Sequence, residues 1–126
     1  MRDLYSNIAA IQALAPAVQT AAAQGAAIDL KGAGRAAFVV NTGEIAGSGV
    51  FGVTLQESDT GASGWTNVAA EEMDSNAPAA LAASSVYRLG YRGYKRFVRL
   101  SLTRASGTSI AAGATAIIVP DSRPVA

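Results

Sequence analysis

The chain has 126 residues, ten Lys and Arg, nine Asp and Glu, and a net charge of +1: enough for one domain with a real core, and too nearly neutral to point to nucleic acid by charge alone. Cysteine and histidine are both absent, which excludes a disulfide frame, thiolate zinc sites and Ser-His-Asp or Cys-His nucleophilic catalysis. Half the residues are apolar but only 6% are aromatic, so thin strands in close backbone contact are expected in place of a bulky core, with no cofactor and no metal.

Residues Arg2 to Ala15 carry Leu4, Ile8, Ile11 and Ala15 at helix-like spacing behind a cap at Asp3, and Pro16 ends the run. Segment 1–16 is therefore a short helix or, equally, an extended arm that orders only against a neighbour, because an isolated helix of this length is marginal in water. The Ala-rich stretch from Ile8 to Ala27 is not expected to be a secretory signal, since Asp3, Asn7, Gln12, Gln19 and Gln24 interrupt any apolar region and Arg2 alone supplies positive charge. No apolar run of about 18 residues is present, so no membrane-spanning helix is expected.

From Ala17 to Pro120 the signals are β. Val18 to Ala22 and Ala26 to Leu30 read as strands joined by a tight turn at Gln24-Gly25. Gly32 and Gly34 then break the chain, and Ala36 to Asn41 is a continuous apolar run that reads as a central strand buried on both faces. After a Gly- and Ser-containing loop from Thr42 to Gly49, Val50 to Gln56 alternates, with Phe51, Val53 and Leu55 inward. A polar segment follows, with a short strand at Trp65 to Val68, and it holds Glu57, Asp59, Glu71, Glu72 and Asp74. Val86 to Arg104 reads as a β-hairpin: Tyr87, Leu89 and Tyr91 alternate with Arg88, Gly90 and Arg92, and Val98, Leu100 and Leu102 with Arg99, Ser101 and Thr103, around a turn at Gly93, Tyr94 and Lys95. Thr115 to Val119 is the last strand, and 121–126 is an extended tail. About eight or nine short strands separated by turn residues predict an all-β fold, an antiparallel β-sandwich or jelly roll.

Asp59, Thr60 and Gly61 spell the Asp-Thr-Gly of aspartic proteases, but Glu57 and Ser58 stand where an apolar strand is needed, and Ile117-Ile118-Val119-Pro120 lacks the later glycine. A loop in which Asp and Gly favour turning accounts for the motif. Gly32, Gly34 and Ala37 match a dinucleotide fingerprint in letters only, because a β run follows where a helix is required. Glu71 and Glu72 are adjacent and would face opposite sides of a strand, a poor arrangement for paired acid-base work. Trp65 near Asp59 and Asn67 is a candidate glycan contact, against the commoner packing of a Trp over a loop. No catalytic site is assigned, and the chain is read as not an enzyme.

Six of the ten basic residues, Arg88, Arg92, Lys95, Arg96, Arg99 and Arg104, fall in the Val86 to Arg104 segment, and no acid occurs between Ser75 and Pro120. Three readings stay open. Arginines interleaved with Tyr87, Tyr91, Tyr94 and Phe97 suit a nucleic-acid platform, though the compensating acids argue against one. Arg88, Arg92, Lys95, Arg96 and Arg99 of one subunit suit an interface with Glu57, Asp59, Glu71 and Glu72 of another. The same patches also suit pairing within one fold.

The opening MRDLYSNI, the segment LQESDTGASGWTNVAAEE, the segment YRLGYRGYKRFVRLSLT and the closing RPVA resemble small auxiliary virion proteins encoded in the head module of tailed bacteriophages and prophages. The resemblance covers nearly the whole chain in order. It implies a capsid decoration or cement protein, made in the host cytoplasm and placed on the capsid surface, with a neck or tail component or a virion-displayed glycan-binding module as alternatives. The implied partners are the major capsid protein or another virion protein and further copies of the chain, a trimer preferred, with neither nucleic acid nor membrane bound. Leu4, Tyr5, Ile8 and Ile11 would then make the contacts of the N-terminal segment.

Overall fold

A computed structural model describes residues 8–31, 33–78, 80–93 and 95–120. Ten strands follow in order: β1 (Ala9–Gln19), β2 (Ala23–Gln24), β3 (Ile28–Asp29), β4 (Ala33–Ala46), β5 (Val50–Ser58), β6 (Thr66–Asn67), β7 (Met73–Ser75), β8 (Val86–Tyr91), β9 (Phe97–Ser106) and β10 (Ser109–Pro120). One sheet has the order β1-β10-β4-β8-β7; the other runs β2-β9-β5-β6, with β3 also paired to β9. Every pairing is antiparallel. Among the described residues the only helical turn is a 3-10 turn at Ala70–Glu72, so the chain is an all-β sandwich.

Period-two patterning explains the core. Phe38 and Val40 of β4 and Leu89 and Tyr91 of β8 face Leu55 of β5 and Val98 and Leu100 of β9, in a cluster that also takes in Ile28 and Val68. A second cluster of Phe51, Leu81, Leu102 and Ile110 fills the other end. Val98, Leu100 and Leu102 are completely buried, each contributing about 1.5–3 kcal/mol by removal from water.

The loop expected from Thr42 to Gly49 is shorter, since Thr42 to Ala46 is the end of β4, and four other sequence expectations change. Val86 to Arg104 is not a hairpin, because β8 lies in the first sheet and β9 in the second, and residues 92–96 cross between them. Alternation states which face of a strand is buried but not which strand is its neighbour, and here the two apolar faces meet across the core. Gln24-Gly25 is likewise no hairpin turn: β2 and β3 both run antiparallel to β9 and form one interrupted edge. Gly25 donates its N–H to Leu100 O (2.7 Å), and a Cβ there would overlap the Ala13 carbonyl, so the approach of β1 to the second sheet requires glycine. The run Ala36 to Asn41 is central in its sheet but buried on one face: Phe38 and Val40 are inaccessible while Asn41 is exposed.

The fourth change concerns the N-terminal segment. From Ala9 onward it is neither helix nor arm but β1, paired along β10 and continuing past residue 16, so the boundary expected there falls inside a strand. Pro16 is accommodated because β1 is an edge strand and the ladder bulges between Leu14 and Ala17, where a missing N–H leaves no partner unsatisfied. Leu4 and Tyr5, and the tail 121–126, lie outside the described residues.

The connections β4 to β5 and β9 to β10 also cross between sheets, and they stack on each other. Gly107, at φ +83°, lies so close to Gly49 and Ser48 that a Cβ would overlap both backbones. Gly64, at φ +71°, has nothing near its Cβ position. Gly107→Ala will therefore lower stability by about 3 kcal/mol in urea unfolding, combining left-handed strain with backbone overlap, whereas Gly64→Ala will cost only about 1 kcal/mol. Equal losses would show that the packing of the two connections is unimportant.

Candidate interaction surface

The crossover from β8 to β9 gathers three basic residues, Arg92, Lys95 and Arg96, at one end of the sandwich. Tyr91 is the anchor: its hydroxyl donates to Glu57 Oε1 (2.7 Å) and accepts from the Lys95 N–H (2.9 Å), tying the two sheets together. Burial first, and then the bond to Glu57, push the phenol well above its ordinary value, so Tyr91 stays a neutral donor. Gly93 has no side chain because a Cβ would overlap the Tyr91 hydroxyl and crowd Glu72 Oε2. That Glu72 oxygen is buried without a hydrogen-bond partner, while the Glu72 carbonyl accepts the Arg92 N–H (2.6 Å).

Three cations of the crossover close ion pairs within the chain. Arg92 meets Asp74 at 3.0 Å, Lys95 meets Asp59 at 2.9 Å, and Arg96 binds Asp29 through two parallel bonds of 2.9 Å. Arg99 donates to Gln56 Oε1 (2.9 Å), and its guanidinium lies 4.2 Å from the centre of the Trp65 ring. The geometry thus realises in-fold ion pairing for four of the nine residues assigned to a charged subunit interface, Arg92, Lys95, Arg96 and Asp59. These pairs are largely exposed and add little stability individually. Arg88 and Glu71 are exposed. Asp29, twice bonded to Arg96, was invisible as a partner in the sequence because 67 positions separate the two residues.

The Asp-Thr-Gly loop is a turn. Ser58 Oγ accepts the N–H groups of Thr60 (3.2 Å) and Gly61 (3.1 Å) and donates to Ser63 O (2.6 Å), and Gly61 rests on the Phe97 ring at φ +76°. Trp65 is half-buried beneath Arg99, which occupies a ring face that a sugar would use. Among the described residues, no group of three or more potential ligand side chains is placed to hold a metal ion.

The outer face of the first sheet is different in character. A groove of about 760 Å³ runs over β1, β10, β4 and the start of β8, and none of its lining residues is charged. Ile11, Val18 and Val86, exposed despite their apolar side chains, all line it. Of these, only Ile11 was singled out as a contact from sequence. Ile8, also singled out, is half-buried just before β1. The signal for the groove was the outward row Ala111, Gly113, Thr115 of β10, too small and mixed to read as a surface without knowing its neighbours.

No protein-family model matches the sequence, and no curated protein matches it. Among solved structures, the chain is similar to the crystal structure of the SPBc2 prophage-derived protein YomS, at 12% identity and a TM-score of 0.49 over 90% of this chain and 93% of that one.

Two measurements check the crossover. Tyr91→Phe leaves Glu57 and the Lys95 N–H without their shared partner and will destabilise the protein by about 1–2 kcal/mol, with an unchanged circular dichroism spectrum. The Asp29 carboxyl is held at about 2, below its ordinary 3.8, first by the Arg96 bonds and then by the Lys31 N–H. A depressed carboxylate stabilises the fold above its unfolded value and loses that contribution as pH falls from 3.8 towards 2. Asp29→Asn will therefore flatten the stability profile in that window, and the Asp29 NMR titration will have its midpoint near 2.

Proposed function

We propose that the protein is a non-enzymatic structural component of a tailed-phage particle, a capsid decoration or cement protein acting through subunit-subunit and subunit-shell contacts. The observation that carries this reading is the uncharged apolar groove on the outer face of the first sheet, where all three exposed large hydrophobics of the described residues converge. Exposed apolar surface collected in one place suits contact with another protein, while scattered single residues do not. The resemblance of the quoted segments to head-module proteins supplies the particle. Such a protein works by being present in many copies at fixed positions, so its chemistry is burial of surface, and its site is virion-bound.

Arg92, Lys95 and Arg96 are answered by acids of their own chain, so they supply little free charge for a contact between subunits. Assembly then rests on the groove and on the segment that precedes β1, which carries Leu4 and Tyr5. Deleting residues 2–7 leaves β1 whole, unlike a deletion reaching Ala15, which would remove seven of the strand's eleven residues.

Mixing the purified protein with undecorated phage shells and sedimenting the particles tests this reading. The expected result is retention at a fixed ratio to the shell subunit, with the 2–7 deletion folded but reduced in occupancy by about tenfold in affinity. Absence of the protein from shells at every concentration would overturn the decoration role.

A further inference from the structure

The two outer faces of the sandwich are unlike. Over the second sheet the outward side chains are polar, among them Thr54, Gln56, Arg99 and Thr103. Over the first sheet the centre is apolar and uncharged, and the protruding side chains Val18 and Val86 are 66% and 61% exposed. Between them lie small residues: Val18 is registered beside Ala111, and Gly113 beside Asn41, which in turn is beside Val86. The side of Gly113 that lacks a Cβ is closed over by Pro16, so the floor of the patch is flat and the valines are its most exposed apolar surface.

Charge appears only at the margins of this patch: Arg35, Arg88 and the Arg92–Asp74 pair at one end, and Glu44 at the other. Arg88 is registered beside Val39, and Glu44 occupies the β4 bulge next to Gly43. Val39 and Glu44 stand five positions apart, roughly 16 Å along the strand. Both Arg88 and Glu44 are exposed, and neither makes one of the ion pairs found among the described residues.

We infer that this face docks a second copy of the chain, face to face, about a two-fold axis that crosses the strands near the Gly113–Asn41–Val86 row. Such an axis keeps β4 over β4 and reverses the strand direction, so the Glu44 end of one copy lies over the Arg88 end of the other, twice. One patch then serves both subunits, as an isologous contact requires, and its charges set the register while its centre supplies apolar burial. An acidic ligand is disfavoured because no cation lines the groove. Strand addition at the β1 edge is disfavoured too. Pro16 and two register shifts interrupt that edge, and Ala13 O already accepts the Ala26 N–H (2.8 Å).

The test is the mass of the full chain by light scattering over a wide concentration range, without shells, so that its outcome is separate from shell binding. A dimer is expected. Val86→Glu will weaken self-association by about tenfold or more, and Glu44→Arg or Arg88→Glu alone will weaken it by several-fold to about tenfold. The paired swap, Glu44→Arg with Arg88→Glu, will restore it. All three positions are exposed, and each variant is accepted only if its circular dichroism and melting match the parent. A monomer at every concentration, a trimer or other ring, or a dimer indifferent to Val86→Glu would each overturn the inference. A paired swap that behaves as the sum of its single changes would do the same.

Discussion

The structure depends on one constraint: β8 and β9, separated by five residues, must bury their apolar faces against each other from opposite sheets. Leu89 and Tyr91 look across the core at Val98 and Leu100, and all four are buried. A tight hairpin would have put these rows side by side and left one face of the pair without a lid. Crossing between sheets instead gives each strand two partners, β4 and β7 for β8, and β5 with the β2–β3 edge for β9. The crossover then becomes the place where polar groups must be reconciled with the end of the core. Tyr91 accomplishes this by burying its ring while its hydroxyl serves a carboxylate and a backbone N–H.

The distribution of charge follows from that crossover. Its cations project from the end of the sandwich, and the acids that meet them come from three separate segments: Asp29 at the end of β3, Asp59 after β5, and Asp74 on β7. The Arg92 and Arg96 pairs are exposed and the Lys95 pair is partly so, hence the gain is small, but together they fix which loops neighbour which. Two oppositely charged patches in a sequence therefore do not imply two subunits. The deciding quantity is whether the fold brings the patches within about 4 Å, and here it does.

What the sequence made legible was the face of each strand, and what it concealed was each strand's neighbour. Phe51, Leu55, Val98, Leu100 and Leu102 are inward as their alternation requires, because side-chain period is a local property. The helix-like spacing of Ile8, Ile11 and Ala15 failed for a physical reason. The register shifts between Gln12 and Leu14 and between Leu14 and Ala17 break period two, so Ala13 and Leu14 are both buried and the pattern drifts towards a helical one. Pro16, read as a terminator, is instead an edge-strand residue tolerated by the same bulge. Asp29 and the groove were hidden because both depend on contacts between distant segments.

The contrast between the edges and the faces of the first sheet carries the last step. Its β1 edge is broken by proline and bulges, protections against unplanned strand pairing, and its other edge, β7, spans only Met73–Ser75. Its outer face has the opposite character: valines stand exposed on it, and a polar residue at position 18 or 86 would cost the strand little. A chain that guards its edges yet leaves an apolar face open restricts association to side-chain packing, where register is set by shape and by the charges at the margins. Backbone pairing would be indifferent to both. Side-chain packing yields assemblies of defined number and orientation, the property that the proposed decoration role would need most.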